Sequence, residues 1–108
     1  MDRLGALWLF LRAVEAGTIT GAGRRLGLPS TAASRALHEL EAAHGLRLLD
    51  RNTRRLSPTE SGCRMHARLA PLLSEFDAAL REAADLYDQP RGLLHVVPAV
   101  ASFRAAFP

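Results

Sequence analysis

Residues 18–45 read TITGAGRRLGLPSTAASRALHELEAAHG, and this stretch decides the fold of the chain. Thr18 and Thr20 are hydroxyl residues of the kind that cap helices, and a short helix is expected to start beside them. The turn-forming residues 27–29 come next, and a second helix is expected to run from there until Gly45 stops it. Two short helices joined by a tight turn that contains glycine form a helix-turn-helix.

The second of these helices, expected over about residues 30–44, has two different faces. Its apolar face, which is expected to point inward, consists of Ala33, Leu37 and Leu40. Hydrogen-bonding side chains recur on the other face at spacings of three and four residues, and they are Thr31, Ser34, Arg35 and His38. Side chains of this kind suit an element pressed into the major groove of DNA. The alternative, a polar face turned toward solvent, fits the same pattern.

A preceding helix is expected from about residue 2 to 16, with Gly17 as its terminating residue. Its apolar side chains recur at three- and four-residue spacing, and the predicted inward face is Leu4, Leu7, Trp8, Leu11 and Val14. In the short helix that follows, Ala22 and Leu26 are expected to point inward. A chain of this length can bury a core, although a thin one.

Residues 46–57 read LRLLDRNTRRLS and indicate a short β-hairpin, or wing, over 47–57. Leu48 and Leu56 are the expected inward residues of its two strands. Four arginines against one aspartate give the wing a local charge of +3, the sharpest concentration of basic charge in the chain. A basic hairpin beside a helix-turn-helix is typical of a protein that contacts phosphate backbones, although a solvated basic loop has the same composition.

A long helix is expected from Thr59, its predicted N-cap, to about residue 88. A capping box formed by Ser57 and Glu60 is the alternative start. Apolar residues form a heptad-like seam along this helix, and they are Leu69, Leu73, Phe76, Leu80, Ala83 and Tyr87. Because three short helices cannot cover such a seam, it is expected to pair with a second copy of the chain; the alternative, packing onto the chain's own core, is expected for its first turns only. Pro71 is expected to bend the helix or to remove one of its hydrogen bonds.

Beyond the long helix, residues 89–92 break the helical pattern, and the apolar run 93–98 is expected to be a strand. An isolated strand is not stable alone, so it is interpreted as the beginning of a further domain. The predicted organisation is a winged helix-turn-helix domain at 1–58, a linker and dimerisation helix at 59–89, and a hinge with a first strand at 90–108.

The composition excludes several other classes of protein. The chain has 108 residues, a net charge of +3, and Arg for all 14 of its Lys and Arg residues. Its single cysteine, Cys63, excludes an internal disulfide framework and a zinc site of several thiolates, and is expected to be a packed small residue rather than the alternative, a redox sensor. The histidines lie on separate elements without metal-binding spacing, so no metal, no cofactor and no enzymatic reaction is expected. The N-terminal run is neither a signal peptide nor a membrane span, and a cytoplasmic protein is expected.

Several motifs together resemble the N-terminal winged helix-turn-helix of LysR-type transcriptional regulators. They are EAGTIT at 15–20, RLGL at 25–28, ASR at 33–35, LE at 40–41, GLRLLDR at 45–51 and RRLSPTESG at 54–62. The resemblance covers about residues 2–62, and the long helix follows in the expected place. Residues 92–96, GLLHV, look like the first strand of the family's effector-binding domain.

The resemblance implies a sequence-specific DNA-binding transcriptional regulator with the helix at 30–44 in the major groove and the wing on the flanking backbone. Arg35 would read a base edge or clamp a phosphate, and Arg51, Arg54 and Arg55 would hold the flanking backbone or enter the minor groove. The residues implied to contact DNA are Thr20, Ser30, Thr31, Ser34, Arg35, His38, Arg51, Thr53, Arg54 and Arg55. A homodimer through the long helix, a tetramer of the intact regulator, an interrupted palindromic operator and a small-molecule effector are also implied.

Some positions depart from the family pattern, in which the recognition helix often opens Ser-Gln-Pro-Ala and a second glutamine follows. Here residues 29–32 read PSTA and Ala36 replaces the second glutamine, so a different sequence preference is expected. Gly21 and Gly23 replace the usual alanines of the short helix, and each costs roughly 1 kcal/mol of helix propensity. The alternative function is a small dimeric helical interaction protein, which would associate without affinity for DNA.

Overall fold

The computed structural model describes residues 1–51 and 55–87. Its elements follow one another in the order α1 (Arg3–Ala16), α2 (Ile19–Arg25), α3 (Ser30–His44), β1 (Leu49–Asp50), β2 (Ser57–Pro58) and α4 (Glu60–Tyr87). The predicted fold, a mainly helical chain with a short antiparallel hairpin, is confirmed. The strand predicted at 93–98 lies outside the described residues.

Both ends of α1 are closed by the residues that flank it. The Asp2 side chain accepts a hydrogen bond from the Gly5 N–H at 2.9 Å, which satisfies one of the free donors of the first turn. Gly17 follows the helix with a φ of 73°, and its N–H donates to the Ala13 carbonyl at 2.9 Å. The terminating role predicted for Gly17 is therefore confirmed, since a left-handed backbone favours glycine.

The buried face of α1 differs from the predicted one. The residues that the structure buries are Ala6, Leu9, Phe10, Leu11 and Ala13. Leu4, Leu7, Trp8 and Val14, which were expected to point inward with Leu11, are only half-buried. Between residues 4 and 14 the chain is apolar except for a glycine and an arginine, so the spacing of apolar residues fits several faces of the helix.

The core is completed by the inner faces of α2 and α3, which pack on α1 and on each other. Ala22, Ala33, Leu37 and Leu40 are all buried, as predicted. Leu26 is not inward as expected: it is 38% exposed, because α2 ends one residue earlier and Leu26 belongs to the turn.

The wing is a minimal hairpin in which Leu49 pairs with Pro58 and Asp50 pairs with Ser57. Leu48 and Leu49 are both buried, whereas the predicted inward residue of the second strand, Leu56, is half-buried. The first strand therefore anchors the wing to the helical core.

The start of α4 is fixed by Thr59. Its hydroxyl accepts a hydrogen bond from the Gly62 N–H at 3.0 Å and donates one to the Arg47 carbonyl at 2.6 Å, which confirms Thr59 as the predicted cap. The Thr59 N–H also donates to the Leu48 carbonyl at 3.0 Å. Gly62 packs so closely that a Cβ on it would overlap the Leu48 carbonyl oxygen. Cys63 on the next position is exposed, and the expectation of a packed cysteine is wrong.

The chain divides into two compact units, and the division falls within α4. The first unit, Met1–Pro71, holds the three short helices, the wing and the first turns of α4. The second unit starts at Leu72, and its described part is the rest of α4.

Candidate nucleic-acid interface

The position of α3 is set by a close approach at the end of α2. The Gly23 carbonyl accepts hydrogen bonds from the N–H groups of Leu26 at 3.0 Å and Leu28 at 2.7 Å. A Cβ on Gly23 would lie 2.8 Å from the Leu28 carbonyl oxygen and 3.2 Å from the Ala33 Cβ. Gly23 is therefore the residue that allows α2 and α3 to approach each other this closely. The helix propensity that it costs is offset by this packing. Gly27 supplies the positive φ of the turn, 70°.

The outer face of α3 carries the polar stripe that the sequence predicts. Thr31, Arg35 and His38 are exposed, and Ser34 is half-buried. Within residues 1–51 and 55–87, the Arg35 guanidinium has no ion-pair partner. The polar stripe therefore presents one full positive charge and several hydrogen-bonding groups on the outer surface of the helix-turn-helix.

The N-terminus of α3 has no side-chain cap among the residues that the structure describes. Its N-cap is Pro29, which makes no side-chain hydrogen bond to the helix. The Ser30 hydroxyl instead pairs with the Thr20 hydroxyl of α2 at 2.7 Å, so the structure brings these two predicted site residues together. Free N–H groups at a helix start attract anions.

The wing is held to α3 by a buried carboxylate that sequence reasoning missed. Glu41 is 8% exposed, and its Oε2 accepts hydrogen bonds from the N–H groups of Leu48 at 2.7 Å and Leu49 at 3.2 Å. Its Oε1 accepts one from Arg51 Nη2 at 2.8 Å. A signal was present in the sequence, because Glu41 follows Leu37 by one helical turn and so lies on the inward stripe.

The environment of Glu41 favours its charged form. Burial on its own would raise the pKa of this carboxyl. Hydrogen bonds from the Leu48 N–H, the Arg51 side chain and the Leu49 N–H, together with the charge of Arg51, outweigh burial and lower the pKa below its ordinary value near 4.5. At neutral pH the group is therefore a carboxylate paired with a guanidinium.

The remaining predicted wing residues are placed differently from one another. Arg51 is engaged with Glu41, and its side chain is 24% exposed. Arg55 is exposed. An open groove beside the second half of α3 brings His38 and Arg51 together with Arg47, which is also exposed. Thr53 and Arg54 lie outside the described residues.

The predicted seam of α4 is covered along only part of its length. Leu73 is buried and Leu69 is half-buried. The later members of the seam, Phe76, Leu80, Ala83 and Tyr87, are exposed. Phe76 and Leu80 leave 44% and 55% of their surface in solvent, which is an unusual arrangement for large apolar side chains.

Other kinds of site do not emerge from the described part of the chain. Across residues 1–51 and 55–87, no group of three His, Cys, Asp or Glu side chains is arranged to hold a metal ion. None of the helices described there combines the length and apolar character needed to cross a bilayer.

Three helices with an exposed third helix and an adjoining hairpin define a winged helix-turn-helix protein. Residues 4–63 match the model of a family described as bacterial regulatory helix-turn-helix protein, lysR family. The chain belongs to this family.

Known proteins of similar sequence are transcriptional regulators by name. An HTH-type transcriptional regulator of Xanthomonas campestris pv. campestris (strain 8004) is 34% identical over 111 residues, covering 93% of this chain and 32% of that protein. The HTH-type transcriptional regulator CrgA of Neisseria meningitidis serogroup C (strain 8013) is 37% identical over 90 residues, covering 83% of this chain and 30% of CrgA. The chain thus spans about a third of the length of these curated relatives.

A solved structure with the same fold is that of the BenM DBD in complex with catB site 1 DNA. It superposes with a TM-score of 0.74 at 26% sequence identity, over 81% of this chain and 97% of the BenM chain.

Proposed function

We propose that this chain provides sequence-specific DNA binding for a transcriptional regulator, with α3 in the major groove and the wing on the flanking phosphate backbone. The observation that carries the proposal is the outer face of α3, where Thr31, Arg35 and His38 are exposed opposite a buried apolar face. An exposed guanidinium that has no counter-charge among residues 1–51 and 55–87 suits the edge of a guanine. The likeness to the BenM DBD, which was solved with DNA, supports this assignment.

Phosphate contacts are proposed at both ends of α3. At its start, the uncapped N–H groups and the paired hydroxyls of Ser30 and Thr20 favour an anion. Ser34 is proposed to assist on the same face. Beyond the other end, Arg55 is proposed to contact the flanking backbone, together with Thr53 and Arg54, which lie outside the described residues.

The role of Arg51 is proposed to be different from that of a simple backbone contact. Its Nη2 is committed to Glu41, so its first task is to hold the wing against α3. A phosphate contact through its remaining N–H groups stays a prediction. Whether or not Arg51 also contacts a phosphate, its bond to Glu41 determines where its side chain lies.

The second part of the proposal is a homodimer formed through α4. Three large apolar side chains are exposed on this one helix, and they are Phe76, Leu80 and Tyr87. Their size and their exposure support an interface with a second copy. Two-fold symmetry would present two α3 helices to DNA, and the operator would be an interrupted palindrome.

The organisation proposed for the chain keeps the predicted bounds. We propose that residues 1–58 act as the DNA-binding domain and 59–89 as the dimerisation helix; the hinge and first strand predicted at 90–108 lie outside the described residues. The greater length of the relatives supports further domains in the intact protein, for which a tetramer and a small-molecule effector are proposed. No catalytic step is part of this function.

The proposal is tested by the effect of Arg35→Ala on sequence discrimination. A binding sequence is first selected from random DNA with the wild-type chain, and affinities are then measured for that duplex and a scrambled one. Arg35→Ala is expected to cost about 1–3 kcal/mol on the selected duplex and much less on the scrambled one. Arg64→Ala, which removes an exposed arginine paired with Glu60 on α4, is the matched control and is expected to change neither affinity.

Two outcomes would count against the proposal. Equal losses on both duplexes would remove Arg35 from a base-reading role. A wild-type chain that selects no DNA sequence, while still associating with itself, would favour the alternative of a helical interaction protein.

A further inference from the structure

A second carboxylate, Glu15, lies where α1, α2 and α4 meet in the first unit. Its Oε1 is 2.8 Å from Arg12 Nη1 of α1 and 3.7 Å from Arg25 Nη1, the last residue of α2. Its Oε2 is 3.7 Å from His66 Nε2 of α4. One side chain thus faces basic groups from three different helices.

His66 has few other ways to satisfy its ring nitrogen. The side chain is largely covered, and Nε2 is buried without a hydrogen-bond partner in the described part of the chain. A buried polar atom without a partner is unfavourable. The Glu15 carboxylate is the acidic group that faces this nitrogen, and the pair carries opposite charges whenever the imidazole is protonated.

The position of His66 along α4 gives this contact its significance. The start of the helix is attached to the wing by Thr59, which bonds to Arg47 and Leu48. A helix held at one end can pivot about that end. His66 follows Thr59 by seven residues, or about 10 Å of helix, so its contact with Glu15 is a second point of attachment. Two separated points define a direction.

We infer that Glu15 is a positioning residue, which fixes the direction of the first turns of α4, up to Pro71, against the helix-turn-helix, and that this direction influences the half-site spacing that a dimer accepts. The inference rests on the proposed function, because it assumes DNA binding by a dimer through α4. The same carboxylate also lies 3.7 Å from Arg25 Nη1 at the end of α2, immediately before the turn that leads to α3. Glu15 therefore connects the helix that joins two copies to the helix pair that reads DNA.

The experiment compares spacing preference with half-site affinity in the full chain. A half-site selected by the wild type is placed in duplexes as a single copy and as inverted pairs with spacers of increasing length. Glu15→Gln keeps the shape of the carboxylate side chain and removes its charge, and His66→Gln replaces the imidazole by a neutral amide. His66→Arg places a permanent positive charge opposite Glu15, and Glu60→Gln breaks an exposed ion pair of α4 as the matched control.

The expected result is a change in spacing preference alone. Glu15→Gln and His66→Gln should bind a single half-site like the wild type, while discrimination between the best spacer and its neighbours falls about two- to fivefold. His66→Arg and Glu60→Gln should keep the wild-type preference. Unchanged spacing preference in both neutral variants would overturn the inference, as would a loss of half-site binding equal to the loss on paired sites.

A DNA-independent readout separates this inference from the proposed function. Arg12, the nearest partner of Glu15, lies over the ring of Trp8 at 5.1 Å from its centroid, and Trp8 is the single tryptophan of the chain. Glu15→Gln should therefore change the tryptophan emission and speed amide exchange in residues 60–71. Failure to bind any DNA would refute the proposed function, whereas unchanged exchange in residues 60–71 would refute the positioning role itself.

Discussion

Replacing Glu41 by glutamine is the most informative single change for the stability of this domain. The substitution preserves the size of the side chain but removes the charge that pairs with Arg51. A glutamine oxygen can still accept the two N–H groups of Leu48 and Leu49, and the amide NH2 then faces Arg51 in place of an acceptor. The variant therefore loses one charge-assisted hydrogen bond and leaves a guanidinium without its partner.

The magnitude follows from the burial of the two groups. A hydrogen bond to a charged group is worth about 1.5–3 kcal/mol, and breaking a fully buried ion pair costs about 3–5 kcal/mol. Because the Arg51 side chain is 24% exposed, water compensates part of the loss. We expect Glu41→Gln to lower the free energy of unfolding by about 2–3 kcal/mol. Glu39→Gln, on the exposed side of the same helix, is the matched control and should change it by less than about 0.5 kcal/mol.

The pH dependence of this difference provides a second test. The pKa of Glu41 is lower in the folded chain than its ordinary value near 4.5. Its contribution to stability is therefore complete above that value and is lost as the pH falls through the lowered folded pKa. Urea unfolding, followed by circular dichroism, should give a clearly higher free energy of unfolding for the wild type than for Glu41→Gln at neutral pH. This difference should shrink in acid. A difference in the free energy of unfolding that stays constant with pH would refute the reasoning. An equal decrease of the free energy of unfolding in Glu39→Gln would refute it as well.

Two further predictions concern the packing of the helix-turn-helix and the role of α4. Gly23→Ala improves helix propensity but places a methyl group 2.8 Å from the Leu28 carbonyl, so thermal unfolding should show a loss of about 1–3 kcal/mol. Gly5→Ala meets only side-chain ends, but the nearest is the Asp2 carboxylate that caps α1, so a loss of up to about 1 kcal/mol is expected, smaller than for Gly23→Ala. Replacing Phe76 and Leu80 by aspartate should convert a dimer to a monomer in sedimentation experiments, whereas a monomeric wild type at micromolar concentrations would contradict the proposed interface.

The helix boundaries could be predicted from the sequence because the signals that set them are local. Gly17 and Gly45 end their helices in the left-handed conformation, and Thr18 and Thr59 cap the helices that follow them. Each signal involves residues only a few positions apart, so no knowledge of the fold is needed to interpret it. The inward face of α3 was also predictable, because its other face is polar.

Other features depend on residues that are distant in the sequence. The buried face of α1 is chosen by what α2 and α3 present to it, and an almost wholly apolar helix gives no indication of that choice. Gly23 lowers the helix propensity of α2. It is favoured because it allows close packing against Leu28 and Ala33 across the turn. Glu15 meets His66 across 51 positions of sequence. Propensity and periodicity, which describe a residue within its own segment, cannot detect such contacts.

The charge of the wing also depends on a residue that is distant in the sequence. Counting side chains assigns the wing a charge of +3, and each arginine then looks like a phosphate contact. In the folded chain Arg51 lies against Glu41, a carboxylate from α3 that the count over the wing leaves out. The pair adds no net charge at the surface, so the wing attracts phosphate less strongly than its sequence suggests. Arg35, which stands exposed on α3 without an internal counter-charge in the described residues, carries correspondingly more of the proposed recognition.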